Sequence, residues 1–246
     1  MFSYEEYKKI ISIIQESGRG ATFHEAGTRD DYIIMRHDVE FSVDRAYQLS
    51  QLEKSMDFTS TYFFQWTNNS YNILSKKNTD MIHRMHAQGH TIGLHFALNG
   101  LIDIEEIKQK IQLEIRVLNS MLDFDIDTFS IHRPTNEILQ ANIQIEGLIN
   151  AYEDRFFTYA EAVTPQSELA VKYLSDAQHR WNYGIPDEDT LLHHRKVQIL
   201  THPYSWTQEG YDNLHNFRTL VAERNLELLT TIDSECKHFA AVYNQL

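Results

Sequence analysis

The feature that most constrains this chain is an alternation. Short runs rich in β-branched and aromatic residues are each followed by a stretch with apolar residues three or four apart. Segments 32–36, 59–64, 91–94, 128–131, 171–175 and 197–201 read as strands. Between them, Ser42 caps a helix that carries Val43, Ala46, Leu49, Leu52 and Met56 on one side. Asn78 or Thr79 caps a second, with Met81, Ile82 and Met85 inward and Gly89 as its stop. Asp103 with Glu106 resembles a capping box, and the stripe that follows (Ile104, Ile107, Ile111, Ile115, Leu118, Leu122) is the strongest helical signal. Residues 3–17 form a leading helix. Residues 208–246 read mainly as helix and admit a short strand around 226–231.

Strand–helix alternation implies right-handed crossovers and a parallel sheet. Six or seven units favour an α/β fold of the closed or partly closed β/α barrel kind, with helices around the strands; a doubly wound open sheet is the alternative. No boundary divides the chain. It is expected to be one domain over 1–246, with a motif-bearing core at about 32–206 and a mostly helical 207–246. Segment 137–170 is less regular and reads as a candidate insertion.

Charge and composition narrow the function. The net charge of −13 repels phosphate backbones, so nucleic-acid binding is disfavoured as the main task. No apolar run is long enough to cross a membrane. The opening residues, Met1 to Glu6, are acidic and polar and lack the pattern of a signal peptide. The single Cys236 excludes an internal disulfide framework and multi-cysteine metal sites, and is expected to pack. Together these give a cytoplasmic expectation, under which the match of Asn68-Asn69-Ser70 to a glycosylation sequon is chance. Thirteen histidines are many for this length and direct attention to metal chemistry.

Nearly every strand ends in a polar residue. Asp38 and Glu40 follow the first, Gln65 and Trp66 the second, His95 ends the third, and His132 and Arg133 follow the fourth. Asp176, with Arg180 and Trp181 beyond it, follows the fifth. His202, with Trp206 beyond it, follows the sixth. In β/α barrels these ends converge on one face. Asp38 and Glu40 share a side if the chain is extended there, and a loop there also brings both inward. Two carboxylates with imidazoles suit a divalent metal and an activated water. Arg133 is positioned to keep Asp38 ionised through a charge-assisted pair. His83 and His86, three apart on a helix, read as surface residues, as does the run 193–196. No phosphate-binding glycine loop and no nucleophile elbow occur.

Arg36-His37-Asp38-Val39-Glu40, Gly89-His90-Thr91-Ile92-Gly93-Leu94-His95, Ser130-Ile131-His132-Arg133-Pro134, Ser175-Asp176 through Trp181, and Leu200-Thr201-His202-Pro203 stand in that order. The set resembles the polysaccharide deacetylase superfamily (NodB homology, carbohydrate esterase 4), and within it the WbmS-like subgroup. The resemblance implies a distorted (β/α) barrel and a metal-dependent de-N-acylase with Asp38 as base, Glu40 and His95 as metal ligands, Arg133 orienting the base, Asp176 and Trp181 on the opposite wall, and His202 as general acid. Family members better known than this subgroup carry a second metal histidine four residues after the first, where this chain has Asn99; His132 is the candidate replacement. Zinc is the first choice of ion, with cobalt, manganese or iron as alternatives. Trp66, Trp181 and Trp206 are candidates for stacking on a sugar ring. The implied substrate is an N-acylated sugar on a nucleotide- or lipid-linked precursor of a surface polysaccharide. The competing readings are a degenerate, non-catalytic carbohydrate binder and another metal-dependent hydrolase of a small amide or phosphoester.

Overall fold

The computed structural model describes residues 2–158 and 170–243. Helices α1 (Tyr4–Ser17) and α2 (Phe23–Ala26) precede strand β1 (Tyr32–Val39). Then come α3 (Val43–Ser55), β2 (Thr61–Phe64), α4 (Lys76–Ala87), β3 (Thr91–Ala97), α5 (Ile104–Leu122), β4 (Thr128–His132), α6 (Asn136–Gln140) and β5 (Ile149–Asn150). The rest is β6 (Val171–Ser175), α7 (Glu188–His193), β7 (Lys196–Thr201), α8 (Asn213–Glu235) and α9 (Phe239–Tyr243). Among the described residues, seven strands pair in the order β5-β4-β3-β2-β1-β7-β6, every neighbour parallel. The sheet curls into a distorted β/α barrel left open between β5 and β6. No helix among the described residues is long and apolar enough to cross a membrane.

Two apolar layers hold the helices to the sheet. Ile82, Met85, Ile107, Ile111, Ile115 and Leu118 of α4 and α5 pack on Tyr62, Leu94 and Phe129. Ile11 and Ile14 of α1 and Leu49 of α3 pack on Ile33, Met35, Val197 and Ile199. Even-numbered residues of β1 face the other way, into the barrel, where Ile34 and Phe63 meet Phe23 and Phe156. Gly93 makes room there, since a Cβ on it would lie 2.4 Å from the Phe63 ring.

Three expectations are corrected. Helix α4 is capped by Ser75, whose hydroxyl accepts from the Asn78 N–H; the first turn, Lys76-Lys77, has no apolar residue to mark it. Segment 226–231 is helical within α8, and the hydroxyls of Thr230 and Thr231 donate to the carbonyls of Leu226 and Glu227 at 2.8 and 2.9 Å. Cys236 is exposed, just past the end of α8. Segment 137–170, read as a candidate insertion, supplies β5, which extends the sheet beyond β4; its residues 159–169 lie outside the described part.

Candidate metal centre

The parallel register sets strand ends side by side, and period-two alternation sends their side chains inward. His95 and Ser130 are register partners across β3 and β4. Two residues beyond Ser130, His132 faces the same interior. Arg133 follows with φ +48° and is exposed, so the chain turns away after His132. Glu40 lies just past the end of β1.

Glu40, His95 and His132 form a compact donor set. His95 Nε2 and His132 Nδ1 are 3.1 Å apart. Glu40 Oε1 is 3.0 Å from His132 Nδ1 and 3.9 Å from His95 Nε2. Ligands at about 2.1 Å from a tetrahedral ion stand about 3.4 Å apart, so these separations bracket what zinc requires. The surroundings fit as well. His95 Nδ1 is 2.7 Å from Ser130 Oγ, an outer contact that fixes the ring and leaves Nε2 for a metal. Burial would raise the Glu40 carboxyl, but hydrogen bonds from His132 and His95 and the charge of His202 hold it well below the usual range. Asn99, four residues after His95, sits exposed in a left-handed turn.

Beside His95 stands Asp38, whose Oδ2 is 3.7 Å from His95 Nδ1. Its Oδ2 accepts from Arg36 at 3.1 Å, and its Oδ1 from Ser130 at 3.4 Å. Beside Glu40 stands His202, whose Nε2 is 3.9 Å from Glu40 Oε1. His202 Nδ1 is 2.6 Å from Asp176 Oδ1, and Asp176 also accepts from the His202 backbone N–H. Burial alone would lower the His202 imidazole; the Asp176 charge and hydrogen bond, aided by Glu40 and Asp38, lift it to about 9. The ring is therefore cationic at neutral pH, a proton donor facing the carboxylates.

Four expectations need correcting. The guanidinium on Asp38 belongs to Arg36, two residues earlier on the same face of β1, while Arg133 lies at the rim. Trp206 is 1% exposed and donates its indole N–H to Asp176 Oδ2 at 2.8 Å, so it braces the acid pair and offers no face to a sugar. Trp181 packs against Phe2 and Trp206, and Trp66 against the core outside the barrel. A cleft of about 480 Å³ opens beside Glu40 and His132, and Gln65, Thr67, Asn68, Asn99 and Arg133 line it in place of the tryptophans. Asn68 turns its amide onto the Glu40 carbonyl. The sequence reading missed Arg36, Ser130 and Tyr152, whose hydroxyl accepts from Arg36 at 2.7 Å. Spacing could have found the first two, since each lies two residues before a named site residue. His83 and His86 are engaged elsewhere, on the Leu122 carbonyl and the Phe124 ring.

No family model matches the sequence, and no curated protein does. Solved structures do match by fold. A carbohydrate esterase 4 (CE4) esterase of Streptococcus mutans superposes with TM-score 0.50 at 12% identity, over 86% of this chain and 87% of that one. The chitin deacetylase of the fungal pathogen Colletotrichum lindemuthianum gives 0.42 at 14% identity, over 78% and 81%. A CE4 family pseudoenzyme from Bacillus anthracis gives 0.44 at 12% identity, over 79% and 60%. A mutant pseudoenzyme with restored enzymatic activity is likewise spanned over 62% of its length. The barrel is thus of the kind seen in the Streptococcus mutans esterase.

Proposed function

We propose that this chain is a metal-dependent de-N-acylase that hydrolyses an acetamido or related amide on a sugar of a surface-polysaccharide precursor, in the manner of the WbmS-like subgroup. The observation that carries the reading is one donor triangle, Glu40, His95 and His132, with the Asp38 carboxylate beside His95 and the His202 imidazole beside Glu40. Glu40, His95 and His132 would hold a divalent ion, zinc first. When bound, such an ion polarises an amide carbonyl and acidifies water. Asp38, fixed through both oxygens, takes a proton from the attacking water. His202, kept protonated by Asp176, gives one to the nitrogen as the C–N bond breaks, since an amine leaves only when protonated. Gln65, Thr67, Asn68 and Asn99 offer the cleft amides and a hydroxyl suited to sugar hydroxyls, and Arg133 offers the phosphate of a nucleotide or lipid carrier a cation.

A non-catalytic sugar binder is the second reading: Asn99 stands where the family's second metal histidine does, and Glu40 where the resemblance expects an aspartate. His132 at the triangle weakens the first motive, and the place of Glu40 in it weakens the second. The test is the metal content of protein purified without chelator, beside His95→Ala, followed by hydrolysis of N-acetylated sugars with and without chelator. Near-stoichiometric metal lost in the variant, with chelator-sensitive release of acetate, is expected. Absence of metal after added zinc, cobalt or manganese would overturn the reading.

A further inference from the structure

Resting on the de-N-acylase reading, we infer that Arg36 is the positioning residue for Asp38, built into the same strand as the base it holds. Arg36 is 0% exposed and lies beneath the mouth of the barrel. Its Nη2 bridges Asp38 Oδ2 at 3.1 Å and the Tyr152 hydroxyl at 2.7 Å. The Tyr152 ring covers the guanidinium at 4.5 Å, and Phe63 lies 5.7 Å away. Among the described residues Asp38 is its only ion-pair partner.

A stability role explains this poorly. Burying a guanidinium with one carboxylate loses several kcal/mol of hydration, and an apolar pair of similar volume commonly fills such a place at no loss. A positioning role explains it directly. Arg36 grips Oδ2 from below while Ser130 reaches Oδ1, so the carboxylate has one orientation and still offers lone pairs upward. Residues two apart on a strand share a face, so the pairing follows from β1 alone. It needs no reach from the β4 end, where Arg133 is exposed.

The test uses the full chain with zinc: wild type, Arg36→Met, Arg36→Lys and Tyr152→Phe, the last removing only the hydroxyl that anchors the guanidinium. With Arg36→Met, kcat on an N-acetylated sugar is expected to fall ~100-fold, the scale of a misplaced base, with KM and zinc content nearly unchanged. Arg36→Lys should recover about tenfold of that, and Tyr152→Phe should lower kcat alone by about threefold. Crystal structures of the Met and Phe variants give a readout free of turnover: the Asp38 carboxylate should leave its place while Glu40, His95 and His132 keep theirs. If Arg36→Met does not fold, Tyr152→Phe carries the same comparison. Asp38 unmoved in the variants, a loss that tracks the folded fraction, or a loss shared between kcat and KM would overturn the inference. A wild type inactive on every N-acetylated sugar would sink the de-N-acylase reading alone, since the position of Asp38 still decides what Arg36 does.

Discussion

Strand β1 sends His37 toward the helices and Asp38 into the barrel, and each arrives at a buried cluster of carboxylate and imidazole. Behind the sheet, Glu53 of α3 is 0% exposed. Its Oε1 accepts from Tyr7 at 2.6 Å and meets His37 Nε2 at 3.1 Å. Its Oε2 accepts from Ser60 at 2.8 Å and Tyr62 at 2.6 Å. Every strong acceptor site is taken by a donor of the chain. At the mouth, Glu40 shares its space with two ring nitrogens that converge on one point, beside a cleft. The residue types are the same. What separates the two is that the donor atoms behind the sheet are used up among themselves in the core, whereas at the mouth three ligand atoms converge beside an open cleft.

Mutations can pull this contrast apart. The largest effect is expected for His95→Ala, which should abolish zinc retention and turnover, read by metal analysis and acetate release, with little change in the unfolding midpoint of chelated protein. Glu53→Gln should do the reverse. It leaves the donors of Tyr7, Tyr62, Ser60 and His37 around a neutral amide and should lower unfolding free energy by about 3–5 kcal/mol in urea titrations, with zinc stoichiometry kept in the folded fraction. Retained stability there would show that the rear cluster does not hold β1 to α3.

A step smaller, Ser130→Ala removes the group that orients His95 and should weaken zinc affinity ~10–100-fold, measured by chelator competition. The two clusters should also set opposite pH limits on metal-free protein. Burial would raise the Glu53 carboxyl, but the charge and hydrogen bond of His37, with His90 and Tyr62, hold it below 4.5. Its stabilisation is present above the unfolded value and is lost as pH falls through the folded one. His202, raised from 6.5 to about 9, stabilises fully below 6.5 and loses this as pH rises through 9. Asp176→Asn should flatten the alkaline limb of a melting-temperature profile and leave the acid limb in place. The smallest effect is expected for His86→Ala, which should leave zinc content unchanged and shift stability by less than about 0.5 kcal/mol.

The sheet was legible because its central strands are β-branched or aromatic runs set between strong helical stripes. Strand β5, only Ile149–Asn150, is too short to leave a pattern. Within the centre, strand alternation alone allows either His132 or the neighbouring Arg133 to face inward. Register with β3 decides it: Ser130 pairs with His95, so His132 follows inward. The tryptophans misled because proximity in sequence to a strand end says nothing of direction. Trp206 lies four residues past His202, yet a 3-10 turn at Pro203–Ser205 carries its indole under Asp176. Tyr152 gave no signal at all, being placed by an irregular stretch that only the fold brings beneath Asp38.

The double loading of β1 has a consequence for how errors propagate. A one-residue slip of this strand would exchange its two faces, turning Asp38 toward Glu53 and His37 toward the mouth. Two like carboxylates would then share a dry interior, and the donor triangle would lose the carboxylate beside it. Misthreading is therefore penalised twice, by repulsion behind the sheet and by removal of Asp38 from the donor triangle in front. Under the proposed function, turnover would report that β1 is threaded in register, so specific activity would double as an assay of correct folding.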